Sequence, residues 1–207
     1  MKVFNIHKDV YYIIIKKMTA AGFLPVCYYQ KQLLFLFGLE SPAETSAKGW
    51  SDFAGGLDSN ERDGNDRDIY RAALREMSEE TSGFLGGVNE IDELVKKNGG
   101  FYKYVFSFPN QIKSKKQKSY HIHFFRLDYD DKLIEYYNNS HKFLYDTLNH
   151  KLLASTKVFE KIKIGWFSID EMKKKRSSFR PFYREIVDEI ILQEFDIEKF
   201  IKKTMKR

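Results

Sequence analysis

One helix constrains this chain more than any other feature. Asp68 to Thr81 carries Tyr70, Ala73, Leu74, Met77 and Thr81 at helical spacing, an apolar stripe that has to be buried. Asp68 reads as its N-cap and Gly83 as its C-terminal stop. The segment ends in ALREMSEET, where Glu76, Glu79 and Glu80 stand at i, i+3 and i+4. That spacing projects three carboxylates from one side, with the apolar stripe opposite. They repel one another by roughly 0.2–0.5 kcal/mol per pair, which Arg75, at i, i+4 to Glu79, partly relieves. Such a cluster is either a solvated face or a seat for a hard divalent cation, which takes oxygen ligands and keeps several waters.

What precedes the helix favours the cation. Trp50 to Phe53 reads as a short strand that runs into Gly55-Gly56 and then an Asp-rich loop. Glycines let the backbone pass close to the helix, so that a carbonyl can join a coordination sphere.

The rest of the chain supplies a sheet. FLPVCYY (23–29) and LLFLFGLE (33–40) read as a hairpin, with Pro25 pushing its first strand toward an edge or a bulge. Three further β-like runs follow, at 101–108, 119–127 and 158–167, with a helix expected around 131–147. The tail is helical by period and broken at Pro181. Residues 7–19 fit either an amphipathic helix or a strand. Strands with one central helix and a helical end give an α+β or three-layer α/β/α arrangement. The expected division is an N-terminal extension (1–20), a catalytic domain (21–175) and a helical tail packed on it (176–207).

Strand, Gly-Gly, loop and acidic helix together resemble the signature of the Nudix hydrolase family, Gly-x5-Glu-x7-Arg-Glu-U-x-Glu-Glu-x-Gly-U, where U is bulky and aliphatic. Gly56 matches the opening glycine, and Arg75, Glu76, Met77, Glu79 and Glu80 match the core in register. Ala72-Ala73 fall where the family has small residues, and Phe53-Ala54-Gly55 resembles its approach strand. There are two departures. The loop 57–74 is about five residues longer than the family's, and Arg67 stands eight residues before Arg75 where the family has Glu. Asp66, Glu61 or Asp68 can substitute for it. Those two features of the loop make one departure; the second, milder one is that Ser82 takes the usual glycine position, and Gly83 follows.

The resemblance implies a Nudix fold, with a mixed sheet and here extra terminal helices. It also implies hydrolysis of a diphosphate linked to a second group, using Mg²⁺ or Mn²⁺. Gly55 (through its carbonyl), Glu76, Glu79 and Glu80 would hold the metal, Arg75 would orient the cluster, and Glu76 or an acid outside the box would act as base. Glu160, at the head of EKIKIGWF, is the candidate outside the box.

Other residues have bland readings beside the functional ones. His121 and His123 share a strand face without a third ligand for zinc, so they read as ordinary strand residues or a substrate contact. Trp50 and Phe53 are core residues or a platform for a base.

A net charge of +6 favours anionic partners. The clusters KSKKQK (113–118), KKKR (173–176) and Lys202 to Arg207 would suit RNA or an inositol polyphosphate, or are simply solvated surface. The Lys/Asn/Tyr/Ile-rich style and the WSDFAGG form resemble Nudix proteins of large DNA viruses, some of which remove mRNA caps. Diphosphoinositol phosphates, nucleotide sugars and ADP-ribose stay open as substrates, as does a non-catalytic nucleotide- or RNA-binding module. One cysteine, Cys27, excludes an internal disulfide, and the apolar run VYYIIIKKM is too short to span a bilayer. A cytoplasmic protein that does not engage membranes is expected, in the host cytoplasm if viral.

Overall fold

The computed structural model describes residues 19–42, 48–58, 61, 65–107, 119–155 and 159–206. The 7–19 segment, all but its last residue, and the lysine-rich 113–118 run lie outside the described residues. The chain order is β1 (Thr19–Tyr29), β2 (Gln32–Glu40), β3 (Trp50–Ser51), β4 (Phe53–Gly56), α1 (Asp66–Glu80), α2 (Val88–Lys97), β5 (Phe101–Ser107), β6 (Ser119–Arg126), α3 (Asp131–Thr147), α4 (His150–Ser155), β7 (Lys161–Ser168), α5 (Ile169–Lys174), α6 (Tyr183–Leu192) and α7 (Glu194–Thr204).

All seven strands form one mixed sheet. The hairpin turns at Gln30-Lys31, where both residues have positive φ, as a tight two-residue hairpin requires. Beyond the turn the two strands part. β1 pairs with β2 over Val26–Tyr29 but with β4 over Ala20–Phe23. β2 leaves β1 and pairs with β3 at Gly38 and Leu39. The fork holds the strand that ends in Gly55-Gly56. On its other edge β1 runs parallel to β6, and β6 is antiparallel to β5. β7 lies along the far side of β2.

Pro25 is therefore in a central strand, against the expectation of an edge or a bulge. Val26 gives its carbonyl to Leu127 beyond β6. Adjacent residues point their polar groups to opposite edges, so Pro25 faces the fork, where β1 changes partner and no N–H is needed.

Helices cover both faces. α1, α2 and α3 enclose one core with Phe23, Leu36, Phe53, Ile69, Met77, Ile91, Phe125 and Tyr137. On the opposite face α5, α6 and α7 close a second core around Phe35, Phe37, Phe124, Phe167, Ile186 and Ile201. This is the α/β/α arrangement expected. No helix among the described residues is long and apolar enough to cross a membrane.

Two elements differ from expectation. α2 was not anticipated, although Ile91, Leu94 and Val95 carry a helical stripe and Gly99-Gly100 end it. α1 begins two residues before Asp68. Asn65 is its N-cap, accepting from the Asp68 amide at 3.0 Å. Asp68 lies inside the first turn, where its charge favours the helix dipole without capping it.

Candidate functional site

The fork delivers the glycines to the acidic helix. Gly55 pairs with Ala21 of β1, and its backbone lies directly against the carboxylate of Glu76. A Cβ at Gly55 would stand 2.4 Å from Glu76 Cδ and Oε1. Only glycine permits that approach at position 55, whereas a Cβ at Gly56 would meet open space.

Arg75 is the hub. Its Nη1 lies 2.5 Å from Glu76 Oε1 and 3.5 Å from Glu79 Oε2, and its Nη2 donates to the Gly56 carbonyl at 2.9 Å. Its Nε is 3.4 Å from Glu61 Oε1 and 3.3 Å from Asp58 Oδ2, and Nη2 is 3.3 Å from Glu61 Oε2. Burial alone would lower the Arg75 pKa, but the hydrogen bond it donates to Glu61 and the charge of Glu76 outweigh it and raise it above its ordinary value. Four carboxylates thus surround one guanidinium, an excess of negative charge that a cation would offset.

Of the three acids that could stand in for the residue at Arg67, Glu61 is the one that contacts Arg75. It is buried, brackets Arg75 and accepts from the Asp58 amide at 2.6 Å. Arg67 is exposed on the first turn of α1. Counting back from Arg75 hides the relation. Counting forward from Gly56, Glu61 is one residue short of the family spacing, so the added length falls between that glutamate and the helix.

The three box glutamates do not share one environment. Glu76 and Glu80 are buried, while the Glu79 side chain retains 28% exposure. The expectation of three carboxylates set wholly opposite the apolar stripe is corrected on this point. Ile69, Ala72, Ala73 and Met77 are buried together with Glu76 and Glu80, because the sheet wraps farther round the helix than the stripe implies.

Glu80 enters a second cluster that the sequence did not reveal. Lys161, fully buried, places its Nζ 3.3 Å from Glu80 Oε1 and 2.8 Å from Ser51 Oγ, and it also donates to Glu40 Oε1. Glu40 Oε1 accepts from Ser51 Oγ at 3.1 Å and Arg180 Nη1 at 2.7 Å. Burial alone would lower the Lys161 pKa, but Glu80 and Glu40 outweigh it and hold the ammonium ionised. A bulge between Leu39 and Glu40 shifts the β2–β7 register there and turns Lys161 inward, whereas Lys163 stays exposed.

Glu160 directly precedes β7, partly buried, and its negative charge is felt at Glu80. His123 is a core residue among Phe23, Tyr70 and Phe101, and its Nδ1–H donates to the Gly22 carbonyl at 3.1 Å. Burial lowers its pKa to about 4. His121 is buried too and bonds Ser119. Phe53 is core, and Trp50 packs edge-on against Phe167 while lining a cavity of about 470 Å³ with Tyr129, Trp166, Lys163 and Lys175.

In the basic clusters, Lys175 pairs with Glu171, Arg176 with Asp188 and Lys202 with Glu198, which reduces their pull on a polyanion. Ser82 adopts the left-handed backbone (φ 52°) that suits the family's glycine, with its hydroxyl 2.9 Å from His141.

Gly55, Glu76 and Glu79 fit a hard divalent cation. They are oxygen donors, the glycine backbone abuts a carboxylate, and the local charge is in deficit. Among the described residues no three acidic or imidazole groups form a ready-made cage, since Arg75 and Lys161 already sit on the carboxylates.

No family model matches the chain, and no curated protein matches it either. Solved structures do. Among the solved structures it resembles are Nudix proteins. An Ap4A hydrolase from C. elegans, in a binary complex, is 18% identical, with 86% of this chain and 95% of that one covered at a TM-score of 0.47. A mutT/nudix family protein from Listeria innocua is 13% identical (88% and 96% covered, TM-score 0.46). The NUDIX domain of Shewanella oneidensis NrtR, complexed with ADP ribose, is 10% identical (90% and 96% covered, TM-score 0.45). These likenesses are distant, and the reading of function below rests on the site's own residues.

Proposed function

We propose that this chain is a Nudix-type hydrolase that cleaves a diphosphate linkage with the help of Mg²⁺ or Mn²⁺. The observation that carries the reading is the Arg75 hub. A box-matched arginine ties Glu76, Glu79 and the added acid Glu61 to the Gly56 carbonyl, with Gly55 against Glu76.

Gly55, through its carbonyl, Glu76 and Glu79 would hold the cation, and Glu80 would reach it only in competition with Lys161. Once bound, the ion supplies neutralisation of diphosphate charge and a lowered pKa for a ligated water. The protein's own part is to orient and to move a proton. Arg75 fixes the carboxylates from behind. The carboxylate of Glu76 or of Glu160 accepts the proton of the attacking water.

The substrate we favour is a nucleoside diphosphate derivative, with capped RNA as one form. A positive net charge and the aromatic cavity beside Trp50 support it. Diphosphoinositol phosphates, nucleotide sugars and ADP-ribose are the other members of the panel. The test is phosphate or nucleotide release from each compound with Mg²⁺ or Mn²⁺, with Glu79→Gln as control. Metal-dependent product that disappears in the variant supports an enzyme. Binding without turnover would favour a nucleotide-binding module instead.

A further inference from the structure

Two box carboxylates are handled differently, and the difference lies in Lys161. An ammonium with no exposed surface is costly unless paired, and this one is met by Glu40, Glu80 and Ser51. The fold makes room for it. Gly38 on β2 has no side chain where the lysine stem passes, since a Cβ there would lie 2.9 Å from both Lys161 Cγ and Cδ. Arg180 balances the second carboxylate, so two cations and two anions close the cluster without outside charge. By contrast the Arg75 cluster keeps an excess of negative charge. Glu80 nevertheless leaves one carboxylate oxygen, Oε2, buried and without a hydrogen-bond partner.

We infer that Lys161 is a built-in competitor for the divalent cation at Glu80, a positioning residue that sets how tightly the box binds metal. The inference rests on the metal-site reading above. A dication that engages Glu80 through Oε2 shares that carboxylate with an ammonium 3.3 Å from Oε1, and the two positive charges repel across it. Lys161 therefore confines the favoured binding position to the Gly55, Glu76 and Glu79 side.

The experiment is Mn²⁺ titration of the full chain, followed by calorimetry and by the paramagnetic signal of free Mn²⁺. Lys161→Met is expected to tighten Mn²⁺ binding about tenfold or more. Adding Glu80→Gln to Lys161→Met abolishes that gain. Should Lys161→Met fail to fold, Lys161→Met with Glu40→Gln removes one charge of each sign and leaves Glu80 facing Arg180's side of a neutral cluster. The same tightening is expected of it. Unchanged or weaker Mn²⁺ binding in the folded variants overturns the inference while the metal site stands. Absence of any Mn²⁺ binding to the wild-type chain overturns both.

Discussion

Replacing Glu61 with Gln tests whether it does the work of the missing box glutamate. The side chain is 8% exposed and holds Arg75 through two contacts of 3.3 and 3.4 Å. Charge-assisted hydrogen bonds are worth roughly 1.5–3 kcal/mol, and distances this long belong at the low end. Gln keeps one acceptor oxygen and the shape. It also removes one of four carboxylates crowded around a single guanidinium, which relieves repulsion. The two effects oppose each other, so the stability loss should be small, about 1 kcal/mol, or about 2–4 °C in Tm. Orientation has no such compensation. Arg75 loses its anchor and Glu76 loses its setting, so metal-dependent turnover should fall by about 10- to 100-fold. Arg67→Glu is the matched control. It restores the family's residue at the position counted back from Arg75, but that position is exposed on the first turn of α1 and should do nothing for activity. Thermal unfolding and steady-state assays of both variants decide the matter. Turnover within about twofold of wild type in Glu61→Gln, together with a gain in Arg67→Glu, would refute the assignment.

Other perturbations separate the parts of the site. Gly55→Ala drives a methyl to 2.4 Å from the Glu76 carboxylate, so Mn²⁺ affinity should drop by about tenfold or more with the fold retained by circular dichroism. Tyr137→Phe removes a buried hydroxyl lying 3.0 Å from the Glu80 carbonyl and 2.8 Å from that of Lys161, which should cost about 1–2 kcal/mol in urea unfolding. Asp52 is buried against Tyr120, and burial raises its pKa from 3.8 to about 7. The folded state then binds the extra proton between those values, so stability falls as pH rises from about 4 to about 7. Asp52→Asn should flatten that slope, which amounts to roughly 4 kcal/mol at most.

The sheet, the central helix and the helical tail were legible because period and turn residues act locally. The 131–147 helix and the β-runs fell where apolar spacing put them. Pro25 misled because its harmlessness depends on where β1 changes neighbours, a fact of pairing between distant segments. The inward turn of Lys161 depends on the same kind of distant pairing, since the register shift opposite Leu39 and Glu40 sets its face. In the site, Arg75 and its glutamates were readable at short range on one helix. Glu61 was only one of three candidates, because a loop's reach cannot be counted along a helix. Glu40, Ser51 and Arg180 were invisible, since each meets Lys161 or its partner across more than a hundred residues or between separate strands.

The central claim is that the Arg75 cluster is a divalent-metal site for breaking a diphosphate. Phosphate or nucleotide release from a panel of nucleoside diphosphate derivatives, capped RNA and diphosphoinositol phosphates measures it directly, with and without Mn²⁺ and with Glu79→Gln alongside. Turnover of at least one compound is expected, lost on chelation and reduced by about 100-fold or more in Glu79→Gln. Turnover that persists after chelation and is untouched by Glu79→Gln, or no product from any compound, would contradict it.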